Sequence, residues 1–164
     1  MLIYLFILLQ LIVVSYFDLK YRKISNYWTL FNLAQFVSLV IFFPKLYFLT
    51  WNTFSFPLIF FIVSFGLFAL KIMGAGDSKY ITTFYLCVPS IYHEDLFVIQ
   101  AYLTAGIGIF LLSFNTISNY KKIKTALLLK DVTLVKSVYG KKFPYAPLIL
   151  LSWIVWGVLN EFSF

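Results

Sequence analysis

Charge is what this chain has least of. Only 12% of its 164 residues are Asp, Glu, Lys or Arg, about half the share that soluble domains carry. A water-facing surface cannot be built from so few charges, so a soluble globular fold is excluded. Cysteine is almost absent as well. Cys87 stands alone, which rules out a disulfide within the chain and a structural zinc site built on several thiolates. One histidine and six acids remain for chemistry, and no metal or other cofactor is expected.

What the chain has in abundance is apolar and aromatic surface. Its mean hydropathy is +0.92 and aromatic residues make up 22% of it; Tyr and Trp collect at bilayer interfaces. The sequence therefore reads as an all-α, polytopic integral membrane protein. No internal repeat or low-complexity linker divides it, so residues 1–164 are expected to form one domain.

A spanning helix needs about 17 to 25 largely apolar residues. Met1 to Phe17, Tyr27 to Phe43, Phe54 to Leu70, Leu96 to Phe114 and Pro147 to Phe162 are five such runs. A sixth, Ser78 to Tyr92, is shorter and contains Pro89, so it needs neighbouring helices to satisfy the backbone group that a proline frees. The first run lacks the basic start and small-residue cleavage site of a signal peptide, and it reads as a retained helix. Charge placement supports six spans with both termini outside. In that arrangement 12 of the 13 basic residues fall inside and only Lys45 outside, while Glu94, Asp95 and Glu161 also lie outside. Without the short run, the lysine-rich loop would face the side opposite Lys20 to Lys23.

That basic loop, residues 115–142, carries Tyr120, Ile123, Leu127, Leu134 and Val138 at near-helical spacing. A helix on the membrane surface with lysines towards anionic headgroups explains this, and docking of a protein partner is the alternative. Membrane lipids are thus expected partners, and nucleic acid is not.

With so few acids, each can be weighed. Asp131, Glu94, Asp95 and Glu161 read as ordinary interfacial charges, and His93 beside two of them reads as a solvated side chain and not a metal ligand. Asp18 and Asp77 differ. Asp18 follows the apolar run at the end of segment 1, and Asp77 lies between segments 3 and 4 in KIMGAGDSKY. Two further spans separate them, so both return to one face of the membrane. An acid at the edge of hydrocarbon is costly unless paired or hydrated, and so marks a functional site.

Two carboxylates that converge in a site of reduced dielectric share a proton. Such a pair suits peptide hydrolysis: one takes a proton from the attacking water and the other donates a hydrogen bond to the developing oxyanion. The competing explanation makes each acid a helix cap. Gly74 and Gly76 weigh towards function for Asp77, because they permit close approach of another chain.

MGAGDSK resembles the GxGDxK motif of the type IV prepilin peptidases, and DLKYRKISN resembles the motif after that family's first span, an aspartate, a basic residue two later, then Ile-Pro-Asn. The resemblance covers nearly the whole chain and extends to FPYAP, Phe143 to Pro147, similar to the proline-containing entry to the family's last span. It implies that Asp18 and Asp77 are the catalytic pair of an aspartic endopeptidase. Such enzymes remove the short basic leader of prepilins or archaeal preflagellins on the cytoplasmic side of the cell membrane, which is where the charge-derived topology puts both acids. It also implies supporting or substrate-binding roles for Gly74, Gly76, Lys79, Lys20 and Asn26. Lys79 can stabilise its neighbour's charge or hold a substrate carbonyl, and it can equally snorkel to the headgroups.

This chain departs from the family pattern where Lys20 replaces Arg and Ser25 replaces Pro. It also lacks the inner domain with a four-cysteine zinc motif that larger bacterial relatives carry, since only a short connection around Arg22 to Ser25 joins segments 1 and 2. A peptidase without N-methyltransferase activity is therefore expected, similar to the short enzymes of Flp/Tad-type or archaeal systems. Presenilin-type proteases also carry GxGD, but here Phe17 and not Tyr precedes Asp18, and Tyr-Ala-Pro-Leu stands for Pro-Ala-Leu. A small transporter or proton channel would place its acids nearer mid-membrane, and a non-enzymatic assembly factor leaves the glycine-flanked aspartate unexplained.

Overall fold

The computed structural model describes residues 1–69, 73–128 and 144–160. Lys71, Phe143, Asp131, Glu161, and the Leu134 and Val138 positions of the expected surface helix lie outside them. Helices account for the architecture, and no strand occurs among the described residues. They are α1 (Leu2–Tyr21), α2 (Asn26–Phe42), α3 (Trp51–Ala69), α4 (Ala75–Cys87), a 3-10 turn (Ser90–Tyr92), α5 (His93–Ser118), α6 (Tyr120–Leu128) and α7 (Ala146–Leu159).

Each of the six apolar runs becomes a helix, but their lengths differ. α1, α3 and the continuous stretch Ser90–Ser118 are long and apolar enough to cross a bilayer. α2, α4 and α7 are shorter; at 1.5 Å per residue, the 13 residues of α4 rise only about 20 Å. Large apolar side chains such as Leu9, Ile41, Ile62 and Ile109 stay exposed along the helices, as lipid-facing surface requires. The molecule is a membrane protein.

α4 is the helix that the others surround. Its mixed face of Ser78, Tyr80, Thr83, Tyr85 and Cys87 is buried, with α2 and α3 packed on it. Ser78 donates to the Ser64 carbonyl of α3 at 3.0 Å, and Asn32 of α2 donates to Thr83 at 3.1 Å while accepting from Gln10 of α1. A helix this polar is stable in hydrocarbon only because its neighbours supply those partners. α1 packs on α7 through Tyr4, whose ring stacks on Trp153 at 5.2 Å. Trp153 returns an indole N–H to the Tyr4 carbonyl.

Pro89 ends α4 early and leaves its last carbonyls inside the bundle, where water cannot reach them. His93 and Tyr47 satisfy them. Instead of being solvated, His93 is completely buried, and its Nε2 lies 2.8 Å from the Tyr85 carbonyl and 2.9 Å from that of Val88. Two carbonyls around one nitrogen require Nε2 to carry the proton. Tyr47 donates to the Cys87 carbonyl at 2.7 Å, and burial raises its phenol well above its ordinary range.

Candidate active site

The buried residues of α1 fall at Ile3, Tyr4, Ile7, Gln10, Leu11, Val14, Ser15 and Asp18, one helical stripe. Asp18 is the next position on that stripe after Val14 and Ser15, so the fold carries its carboxylate inward, where it is 2% exposed. α1 runs on for three more residues and stops at Arg22, whose φ of 50° is left-handed. Arg22 is the one described non-glycine residue with such a φ. Its N–H returns to the Asp18 carbonyl at 2.7 Å.

Asp18 is not isolated in the interior. Its Oδ2 accepts the backbone N–H of Ala146, the first residue of α7, at 3.0 Å. The carboxylate thus sits at the positive end of a helix dipole, where an anion is favoured. The FPYAP segment supplies that helix start, with Pro147 inside the first turn.

Asp77 occupies the first turn of α4 and is half-buried. Its Oδ2 accepts the N–H of Gly74 at 3.1 Å, the reach-back half of a capping box. Both aspartates therefore do cap helices, Asp77 its own and Asp18 a distant one. Capping uses Oδ2 of each; it does not remove either carboxylate from the cavity between them.

That cavity measures about 850 Å³ and is lined by Asp18, Asp77, Gly74, Gly76, Lys79 and Asn26. The end of α1, the α1–α2 connection, and the starts of α2 and α4 build it, with Pro144 completing the wall. Lys79 Nζ lies 3.5 Å from Asn26 Oδ1, so a side chain from each motif meets across it. Lys20 is placed elsewhere. It is exposed over the Tyr16 and Tyr21 rings at 5.7 and 5.3 Å, because two helical residues turn it about 200° from Asp18. Arg22 and Lys23 line the cavity in its stead, a role that sequence spacing did not mark because both lie past the helix end.

The two glycines have a packing explanation. A Cβ on Gly76 would sit 2.5 Å from the Ile24 carbonyl oxygen, far inside van der Waals contact. The close approach that glycine permits here is that of the chain's own first motif. A Cβ on Gly74 would meet Asp77 Oδ2 at 2.8 Å, so glycine there lets the carboxylate reach back. Ser25, in the place of a family proline, has φ −71° and ψ 147° and caps α2, its Oγ accepting from Tyr27 N at 3.4 Å. A proline fits that φ; serine keeps the geometry and adds the cap.

The two motifs thus dock on each other and deliver their acids to one cavity. The sequence model of the type IV leader peptidase family matches residues 5–159. The chain belongs to that family. No curated protein and no solved structure matches it. Membership in the type IV leader peptidase family makes the chain a leader peptidase-like protease, and aspartic chemistry is that of the family. Among the described residues no three His, Cys, Asp or Glu side chains cluster as a metal site.

Proposed function

We propose that the chain is an aspartic endopeptidase in which Asp18 and Asp77 form the catalytic pair. Its substrate is a prepilin- or preflagellin-like precursor, whose short N-terminal leader it removes at the cytoplasmic face of the cell membrane. The observation that carries this reading is the convergence of Asp18 and Asp77, from separate motifs, on one cavity. A water between the carboxylates gives its proton to one as it attacks the scissile carbonyl, and the other donates to the oxyanion. The pair titrates as a unit, and neither role belongs permanently to one residue.

Supporting contacts follow from the same cavity. Lys79, steadied by Asn26, holds the substrate backbone, and Gly74 and Gly76 set the Asp77 turn against Ile24. With a short α1–α2 connection in place of an inserted domain, the enzyme trims its precursor without N-methylating it. The test is co-expression with a prepilin-like precursor, following leader removal by gel shift in the parent, Asp18→Asn and Asp77→Asn. Loss of cleavage in both variants is expected; cleavage unchanged in either one overturns the pair.

A further inference from the structure

α5 contributes no residue to the lining of the cavity between the aspartates, and most of its length is exposed to lipid. The residues it buries are His93, Leu96 and Gln100. His93 serves the end of α4 and Leu96 is apolar, which leaves Gln100 to be explained. It is 2% exposed, and an amide in hydrocarbon must have its bonds met, whereas leucine at the same place would need none. Its two amide ends reach different helices. The Tyr85 hydroxyl of α4 donates to Oε1 at 2.8 Å, and Nε2 donates to the Tyr145 hydroxyl at 3.2 Å. Tyr145 is the N-cap of α7.

The two tyrosines differ in freedom. Tyr85 is fully buried and its ring stacks on that of Phe60 at 4.2 Å, so its hydroxyl is a fixed point. Tyr145 is half-buried, and beside it opens a concavity of about 350 Å³ that Phe60, Phe97, Gln100 and Thr104 also line. Open space restrains a ring poorly; on that side the Gln100 amide holds it. The next residue is Ala146, whose N–H reaches Asp18 Oδ2 at 3.0 Å. No side chain at the N-cap bonds the first turn of α7, so the place of that N–H depends on how Tyr145 is held.

We propose that Gln100 is a positioning residue for the reaction: by tying Tyr145 to Tyr85 it fixes the Ala146 N–H on Asp18 relative to the helix that carries Asp77. The proposal rests on the peptidase reading above. Tyr85 stands about 12 Å along α4 from Asp77, so the contacts from Asp18 through Ala146, Tyr145 and Gln100 to Tyr85 end on the helix of the second aspartate. Without the amide, the start of α7 gains room towards the concavity and the bond to Asp18 lengthens and weakens. Neither Gln100 nor Tyr145 lines the cavity that receives the precursor. The loss therefore falls on the chemical step and not on binding.

The experiment compares the parent with Tyr145→Phe, Gln100→Met and the double variant in detergent, using a prepilin-like precursor and rates per folded molecule. Each single variant is expected to lower kcat about three- to tenfold, the range of one neutral hydrogen bond, with KM within about twofold. The double variant should be no slower than the worse single one, because both break the same tie. Thr104→Val is the control, since that hydroxyl bonds the Gln100 carbonyl within α5, and it should keep the parent rate. A second readout needs no turnover. In enzyme labelled with 15N-alanine, the Ala146 amide proton, identified by its loss in Ala146→Gly, should move upfield in Tyr145→Phe as its bond to Asp18 weakens. A merely structural role would lower the melting temperature and leave kcat and this resonance in place, which overturns the proposal. So do additive losses in the double variant or an equal loss in Thr104→Val. Tyr145→Phe decides alone if Gln100→Met does not fold. If Asp18→Asn and Asp77→Asn cleave as the parent does, the peptidase reading fails and the positioning role with it, whatever the Ala146 resonance does.

Discussion

Ala146 donates its backbone N–H to Asp18 Oδ2 at 3.0 Å, joining residues 128 positions apart in the chain. One candidate catalytic carboxylate is thereby also the cap of α7, so removing its charge and removing its acceptor are separable experiments. Asn keeps an oxygen for the Ala146 N–H, whereas Ala leaves that buried donor unpaired at about 1–3 kcal/mol. Asp18→Asn is expected to lose cleavage yet unfold near the parent temperature in detergent, and Asp18→Ala to lose both activity and thermal stability. Equal melting of the two variants would show that the cap contributes nothing.

The glycines of the second motif should respond differently to one added methyl group. At Gly76 the obstacle is the Ile24 backbone, which cannot step aside, so Gly76→Ala is expected to destabilise by about 1–3 kcal/mol. At Gly74 it is the Asp77 side chain, which can. Gly74→Ala should therefore melt near the parent while cleaving at least tenfold more slowly, because the carboxylate is pushed from its place. Thermal unfolding and cleavage rates, measured on the same preparations, distinguish the two patterns.

Asn32 joins three helices through Gln10 and Thr83. Replacing it with Leu keeps the bulk and strands the Gln10 amide, while Thr83 keeps its bonds to the Lys79 and Tyr80 carbonyls, for an expected loss of about 1–2 kcal/mol. Adding Gln10→Leu and Thr83→Val should restore part of it, since an apolar trio leaves no unmet group. A triple variant no more stable than Asn32→Leu would refute the network's role.

His93 serves α4 at the end remote from the aspartates. His93→Phe retains an aromatic ring among Phe56 and Tyr85 but cannot donate to the Tyr85 and Val88 carbonyls. It is expected to cost about 1–3 kcal/mol while leaving the cleavage rate per folded molecule within about twofold. A steep loss of rate without loss of stability would instead tie this histidine to the reaction.

Helix positions were legible because apolar runs and their interruptions are local properties. The spans read from residues 27, 54 and 96 onward lie within a few residues of the helices formed. Asp18 and Asp77 stood out because charge is scarce enough for each acid to be conspicuous, and both line the one cavity. What could not be read were contacts between distant residues: the Ala146 amide on Asp18, and the Ile24 carbonyl that makes Gly76 necessary. Lys20, which the resemblance gave a supporting role, lies outside the cavity lining for a helical reason: α1 continues to Tyr21 and turns it away from Asp18. His93 was read as solvated because nothing local announces that a helix ends inside the bundle beside it.

α4 carries Asp77 and would gain little by partitioning into lipid alone, with serine, threonines and a lysine in 13 residues. During biogenesis it can therefore enter the membrane only in company, after α3 is there to accept from Ser78 and α2 to donate to Thr83. The helix least able to insert by itself thus brings the second carboxylate. A nascent chain holds no assembled protease until its packing is nearly complete.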